Sequence, residues 1–390
     1  MYITILGRQP TLGMAELEQL YSSSSVRWFS DQTALVESDT FDFERLGGTQ
    51  KAGRVVSELR GDWRRVSMKL VSAYTQAWAS RAGKITLGIS AYGFNISPRD
   101  VQKTGIILKS KLKAQGVSLR LIPNAEPALN TAASHHNKLG LSDNHVELLI
   151  VRANNGNVVV AESVGAQNIT ALAARDQERP KRDAFVGMLP PKLARMMANM
   201  SVGRLTSEAA TVLDPFCGTG VILQEASLLG YDVYGSDLSE KMVDYSIVNL
   251  KWLQDNHRLT NSVHIEQGDA TTHQWTASVI SAVACETYLG QPFSAPPSPA
   301  KLTEVRGNCD HIISGFLRNI AQQLESGTPL CVAVPAWRSA DGTVTHLPLI
   351  ARLSSLGYRQ TPLTHVRNEQ LLYYREDQVV ARELLLLTRA

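Results

Sequence analysis

A chain of 390 residues with 44% hydrophobic and 19% charged residues is long enough for two or three domains, each with a buried core. Its formal net charge of only +3 excludes a global field for attracting a polyanion, so any such partner has to be met by local patches. Cys217, Cys285, Cys309 and Cys331 lie far apart with no Cys-x-x-Cys, which argues against a disulfide framework or a zinc site and fits a reducing cytoplasm, while the longest apolar runs, such as Leu384 to Leu387, are far too short for a bilayer.

Met1 leads directly into a predicted strand, Tyr2 to Leu6, rather than into a signal peptide. A helix over Leu12 to Leu20 and strands at Val26 to Phe29 and Ala34 to Glu37 complete a small α/β unit. From about Gly61 the pattern restarts, with a helix through Met68 to Trp78, a strand at Ile85 to Ser90 and a lysine-bearing helix across Val101 to Ala114. Strands follow at Ser118 to Leu121, Val146 to Ala153 and Val158 to Glu162. Taken alone, Lys109, Lys111 and Lys113 read as a solvated helix face; on an enzyme that modifies nucleic acid they become phosphate contacts. His135 and His136 form a surface pair that no cysteine or acidic cluster completes into a metal set, and no metal is predicted.

The segment Ala174 to Asp183 is charged, contains Pro180 and lacks helix periodicity at its centre, so it reads as a connector. It passes through Gly187-Met188-Leu189-Pro190-Pro191-Lys192-Leu193-Ala194-Arg195 into a helix, whose first turn tolerates prolines because their missing N–H groups have no intrahelical partner there. Val212-Leu213-Asp214-Pro215-Phe216-Cys217-Gly218-Thr219-Gly220 then joins a short apolar strand to a carboxylate and a glycine turn that opens a helix. Gly218 and Gly220 let the backbone bend sharply and approach a ligand, as a nucleoside site requires. A helix over Val221 to Leu229 stops at Gly230, and the strand Tyr231 to Gly235 delivers Asp237 and Leu238 to its carboxyl end, where an acid can accept ribose hydroxyls. Val263-His264-Ile265-Glu266-Gln267-Gly268-Asp269-Ala270 is a further strand ending in an acid. A P-loop is excluded because no Gly-Lys-Ser/Thr follows, and a nicotinamide fold prefers Gly-x-Gly-x-x-Gly.

The strand Val279 to Cys285 ends in Glu286-Thr287-Tyr288-Leu289-Gly290, followed by Gln291 to Ser294 and a proline-rich loop to Pro299. A thiolate nucleophile at Cys285 is one reading, but a place inside a buried strand favours an inert packing cysteine. A long helix over Leu302 to Leu324, a strand at Leu330 to Val334 and a helix over Leu347 to Leu356 capped by Gly357 come next. Strands Leu371 to Tyr374 and Val379 to Leu387, joined by Arg375 to Gln378, form a terminal hairpin.

The Asp214-to-Gly220 run resembles motif I of the S-adenosylmethionine-dependent methyltransferases that modify exocyclic amines of nucleic-acid bases. The stretch from Arg179-Pro180-Lys181-Arg182 to Leu193-Ala194 is similar to the helix preceding motif I in the THUMP-bearing tRNA guanine-N2-methyltransferases, and Gly88 to Gly93, the lysine helix and Glu147 to Val151 resemble a THUMP domain. The resemblance implies a Rossmann-like class I methyltransferase domain with a mixed seven-stranded sheet over residues 189–390, a linker over 169–188, a THUMP-like RNA-binding domain over 61–168 and an N-terminal α/β unit over 1–60. It implies S-adenosylmethionine held by Asp214, Phe216, Gly218, Thr219, Gly220, Asp237, Leu238, Asp269 and Ala270, and tRNA held by Lys109, Lys111, Lys113, Arg179, Lys181 and Arg182.

The fourth strand departs from the family, whose usual motif there is Asp-Pro-Pro-Tyr. Aligning Gly290 with the family glycine puts Glu286 at the Asp position, Thr287 and Tyr288 at the prolines and Leu289 at the aromatic. Glu286 is then the expected acceptor-amine ligand, and Tyr288 or Phe293 the stacking ring. The expected function is cytoplasmic tRNA guanine-N2 methylation. DNA base-amine methylation and a catalytically silent RNA-binding protein stand as alternatives. Eukaryotic relatives work with a small zinc-binding activator subunit, and this sequence does not decide whether one is needed.

Overall fold

The computed structural model describes all residues except 184–188, 205–209, 277–279, 294 and 340, so the expectations at Gly187, Met188, Val279 and Ser294 lie outside the described residues. The chain divides into two compact units, one of residues 1–10, 24–44 and 49–171, the other of 11–23, 45–48 and 172–390.

The first 177 residues supply β1 (Tyr2–Leu6), α1 (Pro10–Tyr21), β2 (Val26–Ser30), β3 (Thr33–Val36), β4 (Thr49–Arg60), α2 (Trp63–Ala77), β5 (Ile85–Tyr92), α3 (Pro98–Ala114), β6 (Leu119–Leu121), α4 (Thr131–His136), β7 (His145–Arg152), β8 (Asn157–Ala166) and α5 (Ile169–Gln177). The strands make one eight-stranded sheet in the order β2-β3-β1-β4-β8-β7-β5-β6. Alternation along β5 and β7 sends Ile85, Leu87, Ile89, Leu148 and Ile150 toward Val66, Leu70, Val101, Leu108 and Leu112 of the two helices, and Leu149 and Val151 toward Ile3, Ile5 and Leu35. Asp62 caps α2 by accepting from Arg65 N, and Ser97 and Asp100 form a capping box on α3 next to Pro98.

This sheet corrects the division expected at residue 60. β4 runs from Thr49 to Arg60 between β1 and β8, so the strands expected in two separate units share one sheet. α1 groups with the second unit instead. Its fully buried Glu16 accepts from Gly47 N, Gly48 N and Asn199 Nδ2, and Glu18 accepts from the backbone of Thr364 and His365.

The second unit continues with α6 (Pro191–Val202), β9 (Thr211–Asp214), α7 (Val221–Leu228), β10 (Asp232–Asp237), α8 (Glu240–His257), β11 (Val263–Gln267), β12 (Ala282–Glu286), α9 (Pro299–Ala321), β13 (Pro329–Arg338), β14 (Val344–Thr345), β15 (Tyr358–Gln360), β16 (Leu372–Tyr373) and β17 (Val380–Arg389). Its main sheet has the seven-strand order β11-β10-β9-β12-β13-β17-β15, with β14 and β16 as short additions on β13 and β17. β11 through β13 are parallel and β17 is antiparallel, the mixed sheet expected. The edge beyond β17 is split. β16 forms the expected hairpin partner, and β15, which the sequence did not suggest, pairs with the far end of β17. The expected helix before Gly357 is a 3-10 helix, Pro348–Leu356, interrupted at Arg352.

The expected linker over 169–188 is helical through Gln177, and its described residues from Leu172 onward group with the second unit. Arg175 on α5 donates to Glu225 of α7 at 2.6 Å, and Arg195 of α6 donates to the other oxygen of Glu225 at 2.8 Å. Farther on, Asn249 of α8 clasps both the N–H and the carbonyl of Lys181 at 2.9 Å.

Candidate active site

Reversal of strand order at β9, with β10 on one side and β12 on the other, opens a crevice outside the carboxyl ends of the strands, the usual place for a ligand in such sheets. A cavity of about 580 Å³ occupies this place, within the range of small-molecule sites. Eight of the nine residues expected to hold a cofactor border it, as do Glu286 and Tyr288; Gly220 does not, and lies at the start of α7 behind Thr219 and Val221, which do. Leu189, Thr271, Asn308 and Ile312 border it as well; Leu189 belongs to the stretch that resembles the helix preceding motif I, whereas Asn308 and Ile312 lie on α9, and no local motif marks them or Thr271.

The turn after β9 is built around positive backbone angles. Gly218 and Gly220 have φ of 53° and 79°, and a Cβ on Gly220 would stand 2.9 Å from Ser246 Oγ, which itself donates to Gly218 O. Gly220 is also the N-cap of α7, so the first N–H groups of that helix open beside the cavity. Thr219 O accepts from Asn249 Nδ2, which joins this turn to the Lys181 segment.

Asp237, at the end of β10, uses Oδ2 to accept from Gly218 N and Oδ1 to accept from Ser239 N, both at 2.9 Å. It therefore holds the glycine turn in place while bordering the cavity. Burial raises its pKa against those two hydrogen bonds. Asp214 is 2% exposed and accepts from Phe216 N; burial pushes its carboxyl well above the ordinary carboxylate range, with Asp237 and Glu286 adding to the rise. Asp269 is exposed, with Oδ1 bonded to Thr271 N and Oγ1, and Leu238 is 69% exposed at the rim. Phe216 packs edge-on against Phe316.

Glu286 ends β12 with its carboxylate in the crevice, and Arg382 of β17 donates from Nε to Glu286 Oε1. Both side chains are largely buried, 15% and 8% exposed, and burial raises the Glu286 pKa against the pull of the guanidinium. Oε2 receives no hydrogen bond from any described residue. The next residue, Thr287, stays in the strand pattern, and its N and Oγ1 both donate to Ala333 O. Prolines in that position have neither donor. Tyr288 is 42% exposed at the cavity, whereas Phe293, the other candidate ring, packs against the core. Cys285 is fully buried and its thiol pKa is pushed well up by burial, as expected of a packing cysteine.

Among the residues expected to meet RNA, Lys109, Lys111, Lys113, Lys181 and Arg182 are exposed. Arg179 corrects the expectation: it is 2% exposed, and burial lowers its pKa, so it offers no surface charge to a phosphate. Lys181 and Lys241 lie 5.4 and 5.3 Å from the Tyr245 ring centroid, and Lys241 is also paired with Asp183 at 2.7 Å.

Residues 179–309 match UPF0020, the RMKL-like methyltransferase domain. The chain is 28% identical over 171 residues to a tRNA (guanine(10)-N2)-dimethyltransferase of Methanothermobacter thermautotrophicus, covering 43% of this chain and 46% of that one. It is 36% identical over 110 residues to the Pyrococcus abyssi enzyme of the same description, covering 28% and 30%. These alignments thus span less than half the length of either relative. A probable tRNA (guanine(10)-N2)-dimethyltransferase of Methanothermococcus thermolithotrophicus is 30% identical over 128 residues, which cover 32% of this chain and 70% of that protein. The crystal structure of TrmN from Thermus thermophilus aligns with 100% of this chain and 99% of its own at a TM-score of 0.52 and 16% identity, a likeness of fold. With the glycine turn, the strand-end carboxylates and these matches together, the chain belongs to the tRNA guanine-N2-methyltransferase family.

Proposed function

We propose that this protein is an S-adenosylmethionine-dependent methyltransferase that modifies the exocyclic N2 of a guanine in tRNA. The observation that carries the reading is the meeting of a glycine-turn cavity, Asp237, Asp269 and a Glu286 oxygen not engaged by any described residue in one crevice. The cavity fits the cofactor: the α7 N-terminus suits its carboxylate, and Asp237 and Asp269 suit the ribose and the adenine amine. When bound, S-adenosylmethionine supplies a methyl group on a sulfonium, and its transfer to the acceptor nitrogen leaves a neutral thioether and one proton for that nitrogen to shed.

Glu286 Oε2 accepts a hydrogen bond from the acceptor amine and favours the positive charge that develops on nitrogen. Tyr288, exposed at the rim, stacks on a base drawn out of its helix. The first unit is a THUMP-like RNA-binding domain with Lys109, Lys111 and Lys113 against phosphates, and in the second unit Lys181 and Arg182 meet phosphates as well. Among the described residues no helix is long and apolar enough to cross a membrane, and tRNA processing in the cytoplasm fits.

Incubating the full chain with labelled S-adenosylmethionine and unmodified tRNA, followed by nucleoside mass spectrometry, tests the proposal. N2-methylguanosine or its dimethyl form is the expected product. Methyladenosine in a DNA substrate would move the activity to DNA amines, and cofactor binding without transfer to any tRNA pool would make this a silent RNA-binding protein.

A further inference from the structure

Glu286 is in register with Ala333 of β13, and Arg382 of β17 is in register with Pro335 of β13. Ala333 and Pro335 are two residues apart, so Glu286 and Arg382 stand on one face of the sheet with β13 between them. The ion pair therefore spans two inter-strand gaps of about 4.8 Å each, over a methyl group and a proline ring. Only long side chains meet across that width. A glutamate in place of the family aspartate, an arginine facing it and a small residue between them form one arrangement. We propose that Arg382 is a positioning residue for methyl transfer: reaching across β13, it holds Oε1 of Glu286 and leaves Oε2 turned to the acceptor amine. This assignment rests on the proposed function for the identity of the acceptor, but not for the pairing of the two side chains.

Electrostatics give the pair a second consequence. Glu286 sits in a site that burial makes hostile to a carboxylate, with Asp214 on β9 facing it and Asp237 on β10 facing Asp214. α6, packed on β12 and β13, carries Lys192 and Arg195, the latter bonded to Glu225. On β17 the neighbouring Glu383 is bonded to His346. Among the described residues Arg382 is thus the cation in direct contact with Glu286, and it opposes the protonation that burial favours.

Three variants test this: Arg382→Met, Arg382→Lys and Arg382→Met combined with Glu286→Gln. Carbon-13 NMR of glutamate carboxyls, with the Glu286 signal assigned by its loss in Glu286→Gln, reads the titration of Glu286 without any turnover. The Glu286 midpoint should rise in Arg382→Met and rise less in Arg382→Lys. Methyl transfer should fall tenfold or more at neutral pH in Arg382→Met, chiefly in kcat, and the deficit should narrow as pH is raised and the carboxylate re-forms. In the Glu286→Gln background, removing Arg382 should cost little more. Retained cofactor binding by calorimetry shows that a variant is folded, and if Arg382→Met does not fold, Arg382→Lys alone must still raise the midpoint. An unmoved midpoint overturns the proposal, as does an equal loss in both backgrounds. Absence of tRNA methylation by the wild type would sink the proposed function alone, because the titration still decides the role of Arg382.

Discussion

Replacing Asp214 by asparagine exposes the electrostatic cost of the crevice. In the folded protein this carboxyl is raised well above its ordinary value of 3.8 by burial, with Asp237 and Glu286 adding to the shift. The sign follows from proton linkage. Below pH 3.8 both states hold the proton and the group has no effect; above it the unfolded chain releases the proton freely while the folded chain retains it, so wild-type stability falls as pH rises toward the folded-state pKa. Asparagine does not titrate and keeps the acceptor for Phe216 N, and its amide borders the cavity, where water can meet it. The stability of Asp214→Asn relative to wild type should therefore grow by up to about 1.4 kcal/mol per pH unit above pH 4 and then level off at the folded-state pKa. Denaturant titrations of both proteins between pH 4 and 8 measure that difference. Cofactor affinity should fall in the variant only at pH values above the folded-state pKa, where the wild-type carboxyl is ionised and its charge attracts a sulfonium. A difference that stays flat with pH, or an asparagine variant less stable throughout, would refute the argument that burial dominates at Asp214.

Two other outcomes follow from the site and the surface. Asp237→Asn and Asp237→Ala should each weaken S-adenosylmethionine binding at least tenfold in calorimetry, since hydrogen bonds to a charged acceptor are worth about 1.5–3 kcal/mol each, and alanine should be worse because it also frees Gly218 N; unchanged affinity in a folded variant would remove Asp237 from the cofactor site. Neutralising Lys109, Lys111 and Lys113 together should flatten the salt dependence of tRNA binding by about 0.7–0.9 log units for each phosphate no longer neutralised and leave cofactor affinity intact, whereas an unaltered slope would make them a solvated helix face.

What the sequence disclosed was chemistry carried by neighbours in the chain. The glycine turn, its helix and the acids after β9, β10 and β11 are local signals, and Asp237 lies where a strand-end acid was expected because strand and turn are specified within a few residues. β4 was missed because Thr49-Gln50-Lys51-Ala52-Gly53-Arg54 lacks the alternation of a half-buried strand, yet β1 and β8 flank it. Missing it produced a boundary at residue 60 in the middle of a sheet. α1 read correctly as a helix, but its grouping with the second unit depends on buried Glu16 meeting Asn199, a pairing over 183 positions that no pattern in either segment announces.

Glu286 shows both kinds of information in one residue. Its position at the end of a fourth strand was legible, and the family comparison made it look like a weakened aspartate, displaced by one methylene from where the chemistry needs it. The structure supplies the missing half from 96 residues away: Arg382 anchors the longer side chain, and Thr287 replaces the rigidity of two prolines with two hydrogen bonds to Ala333 O. The departures from Asp-Pro-Pro-Tyr are thus mutually dependent. Restoring aspartate alone shortens the reach to Arg382 by about 1.5 Å and leaves a guanidinium buried without its partner, which costs more than an ill-placed carboxylate in a solvated site. A strand end rebuilt in this way has to be judged by the charge and reach of the whole pair rather than by its match to a motif.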